Sequence, residues 1–172
     1  LFYKIKPIAD ERMIEKIKTM TESVGARLVG VFEMDMSRKT KKANAMFTGL
    51  GKSKRIIFGD TLLKNFNDEE VEVVLAHEMG HYYHRDIIRF MAFGFLASLF
   101  SFFIASRALS ILLNGAGIER IDEIAGLPSL LIVFTWIGLF LMPLQNSYSR
   151  RRERLADVFA LHMTKKKDAF IS

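Results

Sequence analysis

Two long stretches without a charged side chain constrain this chain more than any other feature. The first runs from Phe90 to Ser106, bracketed by Arg89 and Arg107; the second runs from Ile124 to Ser149, with Trp136 inside it and Pro143 near its end. As a helix the first, about 17 residues at ~1.5 Å each, reaches roughly 26 Å, enough for a bilayer core when the flanking arginines extend their heads to the interface. The second is long enough to span outright. The alternative is a buried helical hairpin in a soluble protein, but Phe-rich runs with no polar face favour lipid. The short connector, Asn114 to Glu123, is slightly acidic through Glu119, Asp122 and Glu123, against Arg120. Arg85 and Arg89 precede the pair of runs, and Arg150, Arg151, Arg152 and Arg154 follow it. An excess of Lys and Arg marks the cytoplasmic side. The expected arrangement is a multi-pass integral membrane protein whose hairpin has both outer ends in the cytoplasm.

The chain has 172 residues and a net charge of +6, half of it hydrophobic. It begins at Leu1 rather than Met, which reads as an excerpt of a longer protein, and its start shows no signal peptide. No nucleic-acid motif accompanies the basic excess, and the basic residues crowd beside the apolar runs, so the expected partner is a lipid bilayer and not nucleic acid. There is no cysteine, which excludes a disulfide framework and any Cys-ligated metal site.

Outside the apolar runs the pattern is α+β. Asp10 can cap a helix carrying Met13, Ile14, Ile17, Met20 and Val24 at helical spacing, with Gly25 as its stop. Arg27 to Met34 reads as a strand. A basic loop, Ser37 to Lys42, follows; a solvated surface turn is favoured over contact with anionic headgroups. Asn44 to Gly49 and Lys54 to Gly59 read as two short strands joined by a turn through Gly51 and Ser53. Their plain role is a hairpin packed on the next helix. The functional alternative is an exposed edge at Asn44, Ala45 and Met46 that pairs with an extended peptide. Asn67, with Glu70 three residues on, has the pattern of a capping box.

That box opens an apolar helix, expected to end near Asp86, carrying His77-Glu78-Met79-Gly80-His81. Positions four apart share a helix face, so His77 and His81 can direct two imidazoles at one ion. Zn²⁺ suits imidazole and leaves a coordination position open in catalytic centres, and Glu78 then stands where it can take a proton from water there. Two surface histidines beside an ordinary Glu would read the same, but unpaired polar groups are costly on a mostly buried helix and a metal satisfies them.

Such a helix needs a third protein ligand, commonly a later Glu or His. The tail resumes as a helix from Ser149, with Glu153 and Asp157 one turn apart on one face. Glu153 is the candidate ligand, and Asp157 is placed to hold a ligand imidazole through its second nitrogen. Surface pairing with the arginines is the plain alternative for both. His84 lies past His81 and reads as a polar residue at the membrane edge, and His162 as surface. Arg150 can contact substrate or sit at headgroup level, and both readings stay open. Residues 1–86 thus form a lobe with the motif helix, 87–144 the hairpin, and 145–172 a further helix.

The segment Asn146 to Ala160 (Asn-Ser-Tyr-Ser-Arg-Arg-Arg-Glu-Arg-Leu-Ala-Asp-Val-Phe-Ala) resembles the pattern Asn-x-x-Ser-Arg-x-x-Glu-x-x-Ala-Asp-x-Phe-Ala. That pattern belongs to the integral-membrane zinc metallopeptidases that include the type I CAAX prenyl endopeptidase and HtpX protease. Asn44-Ala45, Gly49, Lys54-Arg55-Ile56 and Asp60-Thr61-Leu62-Leu63 look more like the prenyl endopeptidase branch. The resemblance implies a gluzincin-like core with an inserted membrane hairpin, one Zn²⁺ on His77, His81 and Glu153, Glu78 as general base, and a site facing the cytosol. It also implies hydrolysis of membrane-associated, prenylated or misfolded protein substrates. The rival readings are a membrane sensor built on a metallopeptidase-like domain, which the ten-residue connector disfavours, and a non-catalytic scaffold with a structural zinc, which the intact Glu78 disfavours.

Overall fold

A computed structural model describes residues 3–38, 40, 44–49, 53–115, 126–166 and 168–169. The elements are β1 (Ile5–Pro7), α1 (Glu11–Ser23), β2 (Arg27–Met34), β3 (Ala45–Thr48), β4 (Ser53–Gly59), α2 (Asp60–Asn65), α3 (Asp68–Tyr83), α4 (Asp86–Gly115) and α5 (Gly126–Thr164). They fall into two compact units, residues 1–86 with 153–172, and residues 87–152.

In the first unit the local signals place the elements. Asp10 caps α1, its carboxylate accepting from the Arg12 and Met13 amides. Asn67 and Glu70 form the reciprocal capping box at the start of α3. The β3–β4 hairpin is antiparallel, as its strand–turn–strand pattern suggests, and its Gly49 adopts φ +123°, where a Cβ would run into the Ser53 carbonyl. The turn residue Gly51 and half of the basic loop, residues 39, 41 and 42, lie outside the described residues.

Two further pairings complete a four-stranded sheet in the order β1-β2-β4-β3. β2 runs parallel to β4, and β1 closes the far edge antiparallel to β2. Neither pairing was legible, because parallel partners are set by a long connection and β1 is three exposed residues ending in a proline suited to an edge. Ile56 and Phe58 of β4 are fully buried against Leu62, Val71, Leu75, Ala76 and Met79, and Ala160 of α5 joins that core. Asp60 ties the turn after β2 to α2: its carboxylate accepts from the Met36 and Ser37 amides and from Lys64 at 2.7–2.9 Å. The end of the chain is clasped by Lys166, which donates to Glu72 of α3 at 2.8 Å, while Lys16 of α1 pairs with the same carboxylate.

The second unit is built from α4 and α5. Phe93 stacks on Tyr148 at 4.9 Å and Phe102 meets Phe134 edge-on at 5.7 Å, so the two helices run antiparallel. Ala105, Leu109 and Val133 are buried, whereas Ile87, Met91, Phe95, Leu96, Phe100, Trp136 and Phe140 point outward. The hydroxyls of Ser101, Thr135 and Ser106 each donate to a carbonyl of their own helix at 2.7–2.8 Å, so none of them needs water. Both helices are long and apolar enough to cross a membrane. The return run and the tail helix, separate in the sequence reading, form one continuous α5 that carries Pro143 inside it. A proline removes one backbone bond, which an apolar helix this long tolerates.

Candidate metal centre

α3 presents His77 and His81 one turn apart, and the last third of α5 brings Glu153 and Asp157 to the same face. Gly80 makes that approach possible. A Cβ there would stand 3.0 Å from the Ala156 Cα, so α3 and α5 touch backbone to backbone between the two carboxylates.

The three predicted ligands come together. His77 Nε2 and His81 Nε2 are 3.3 Å apart, and Glu153 Oε2 lies 3.4 Å from the first and 3.7 Å from the second. The other nitrogen of each imidazole is held by its own carboxylate: His77 Nδ1 by Asp157 at 2.9 Å and His81 Nδ1 by Asp86 at 2.7 Å. A ring nitrogen facing a carboxylate carries the proton, so both Nδ1 atoms donate and both Nε2 atoms present bare lone pairs. Two imidazole lone pairs and a carboxylate oxygen then converge with no donor among them. One cation would satisfy all three at once.

The donor set fits Zn²⁺. Ligands at ~2.0–2.1 Å around a tetrahedral ion stand roughly 3.3–3.4 Å from one another, close to the triangle found here. These three residues form the metal-competent cluster among the described residues. Glu78 is half-buried beside it. Burial pushes its carboxyl up from the ordinary range, Glu153 adds to that, and His77 and His81 act in the opposite direction.

Of the remaining candidates, Asn44 is exposed just before β3, and on β3 Ala45 is buried and Met46 exposed; the outer side of β3 pairs with no strand among the described residues. β3 lies against the end of the motif helix, with the Phe47 and Tyr82 rings 5.2 Å apart. Lys54 locks it there: its buried ammonium donates to the Gly49 carbonyl at 2.8 Å, lies 4.4 Å from the Tyr82 ring centre, and has its pKa lowered by desolvation. Arg150 is exposed and belongs to the second unit. His84 packs against Tyr83 and Phe159, outside the cluster, and His162 is exposed.

Asp86 was missed. In the sequence it reads only as the end of the motif helix, because five residues beyond His81 is off the helical face. Its signal was a carboxylate at the threshold of an apolar run.

An α+β metallopeptidase core with paired apolar helices defines the class, and comparison with known proteins agrees. The chain belongs to peptidase family M48, whose family model matches residues 7–172. YhfN, a metalloprotease of Bacillus subtilis, is 29% identical over 99% of this chain and 41% of its own length. The probable CAAX prenyl protease 1 of Schizosaccharomyces pombe is 32% identical over 98% of this chain and 36% of its own. The crystal structure of Saccharomyces mikatae Ste24p superposes with a TM-score of 0.68 at 27% identity, covering 94% of this chain and 42% of that one. The chain therefore spans less than half the length of these relatives. With two apolar helices of spanning length and a likeness to Ste24p, it is a membrane protein.

Proposed function

We propose that this chain carries the catalytic centre of a membrane-embedded zinc metalloendopeptidase. The observation that carries the proposal is the triangle of ligand atoms from His77, His81 and Glu153, all within 4.8 Å of one another, with each imidazole backed by a carboxylate. These three residues would hold one Zn²⁺, which when bound supplies Lewis acidity by polarising a carbonyl and lowering the pKa of water. Glu78 takes a proton from the attacking water and returns it to the leaving amine, and Asp157 holds the His77 ring in its ligating orientation. In the full-length protein Glu78→Gln should keep a full complement of zinc and lose nearly all peptide hydrolysis, whereas His77→Ala and Glu153→Gln should lose the metal. Turnover of Glu78→Gln within a few-fold of wild type would sink the assignment.

The substrate reading is a membrane-associated protein, with a prenylated C-terminal peptide supported by the naming of relatives as CAAX prenyl proteases. The outer edge of β3, from Asn44 to Met46, is the proposed docking strand, its backbone pairing with an extended peptide; Arg150 remains a candidate for substrate or headgroup contact. Met46→Pro removes one backbone donor there. It should raise the Michaelis constant or abolish turnover with zinc content unchanged, and zinc loss in this variant would assign β3 to packing alone.

The arginine-rich ends of the two apolar helices support a cytoplasmic metal centre. Single cysteines at Ser37, Asn114 and Thr164, in a chain that has none of its own, can be probed in intact cells with a membrane-impermeant thiol reagent. Only the cysteine at Asn114 should label before lysis. Labelling at Ser37 and Thr164 instead would invert the orientation.

A further inference from the structure

We infer that Asp86 is a positioning residue for the metal centre: it fixes His81 with its Nδ1 protonated and its Nε2 turned toward His77 and Glu153. The inference rests on the zinc reading above and adds a residue to it. Asp86 is 3% exposed, and its Oδ2 lies 2.7 Å from His81 Nδ1, a short charge-assisted hydrogen bond. Helical geometry alone does not deliver this contact. α3 ends at Tyr83, the His84 amide closes on the Gly80 carbonyl and the Arg85 amide on that of Tyr82, and Arg85 itself sits at φ +55°. That left-handed turn, unfavourable for a residue with a side chain, folds Asp86 back along the helix it has just left. A strained non-glycine residue beside a functional cluster is retained when the surrounding structure gains from the geometry it imposes. Here the gain is one orienting carboxylate for each imidazole, Asp157 on His77 and Asp86 on His81. Asp86 is also the first residue of α4, so the chain enters its first apolar helix at the residue that orients a metal ligand.

A plain alternative is that Asp86 serves the start of α4, where an acidic side chain complements the helix dipole. Serine separates the two roles, because it caps a helix well and is too short to span to the imidazole. In the full-length protein the readouts are zinc affinity, by competition with a chromophoric chelator, and the ¹⁵N shifts of the His81 ring in the zinc-free protein. Asp86→Ser should weaken zinc binding about 10–100-fold and mix the His81 tautomers. Asp86→Asn keeps an acceptor without the charge and should fall between Ser and wild type. Unchanged zinc affinity and an unchanged His81 tautomer in Asp86→Ser would overturn the inference and leave the metal centre standing. A wild-type protein that holds no zinc, with His81 in the other tautomer, would overturn both. Should Asp86→Ser fail to fold, the Asn variant decides alone: affinity and ring shifts equal to wild type reject the role.

Discussion

The two units of this chain solve the burial of apolar side chains in opposite ways. In residues 1–86 with 153–172, the large side chains Phe58, Ile56, Leu62, Leu75 and Met79 are turned inward, and the carboxylates that are covered with them are paired, as at Asp60 with Lys64 and Glu72 with Lys166. In residues 87–152, Phe95, Phe100, Trp136 and Phe140 are turned outward, and small or branched residues such as Ala105 and Val133 line the contact between the helices. The same amino acid, phenylalanine, is core in one unit and coat in the other. Hydrophobic burial stabilises the first by removing apolar surface from water. The second loses nothing by exposing it if its solvent is hydrocarbon, and association there rests on packing and satisfied backbone groups.

The sharpest way to break this contrast is to truncate one phenylalanine in each unit. Phe58→Ala should cost about 3–5 kcal/mol of unfolding free energy. Phe140→Ala, measured in lipid or a bilayer-mimicking detergent, should cost well under ~1 kcal/mol because lipid refills the space. Comparable losses at both positions would show that Phe140 is buried by protein, and the membrane reading of α5 would fail.

A smaller effect separates the glycines. At Gly80 an added methyl meets Ala156 backbone at 3.0 Å, while at Gly94 it meets nothing within 4 Å. Gly80→Ala gains about 1 kcal/mol of helix propensity but must separate α3 from α5, a packing strain of ~1–3 kcal/mol. The separation occurs between Glu153 and Asp157, so zinc affinity should drop more than stability does. Gly94→Ala should be neutral or stabilising by roughly 0.5–1 kcal/mol, with zinc affinity untouched. Retained zinc affinity in Gly80→Ala would mean that α5 can yield without carrying its carboxylates away.

What the sequence alone determined was local and periodic. A spacing of four on an α-helix puts His77 and His81 on one face whatever else the chain does, Asn67 and Glu70 start that helix, and long uncharged runs mark α4 and α5. Glu153 and Asp157 are legible as a pair for the same reason, and the need of the motif helix for a third ligand singles out Glu153, with the resemblance to a known family pointing the same way. The tertiary structure decided the rest. The parallel pairing of β2 with β4, the three-residue β1, the Gly80–Ala156 contact and the turn at Arg85 that returns Asp86 to His81 each join residues whose meeting no short-range period encodes. Those contacts depend on how elements pack once formed, and packing is a property of the whole core: a Cβ at one glycine, or one residue at positive φ, decides whether a carboxylate reaches an imidazole.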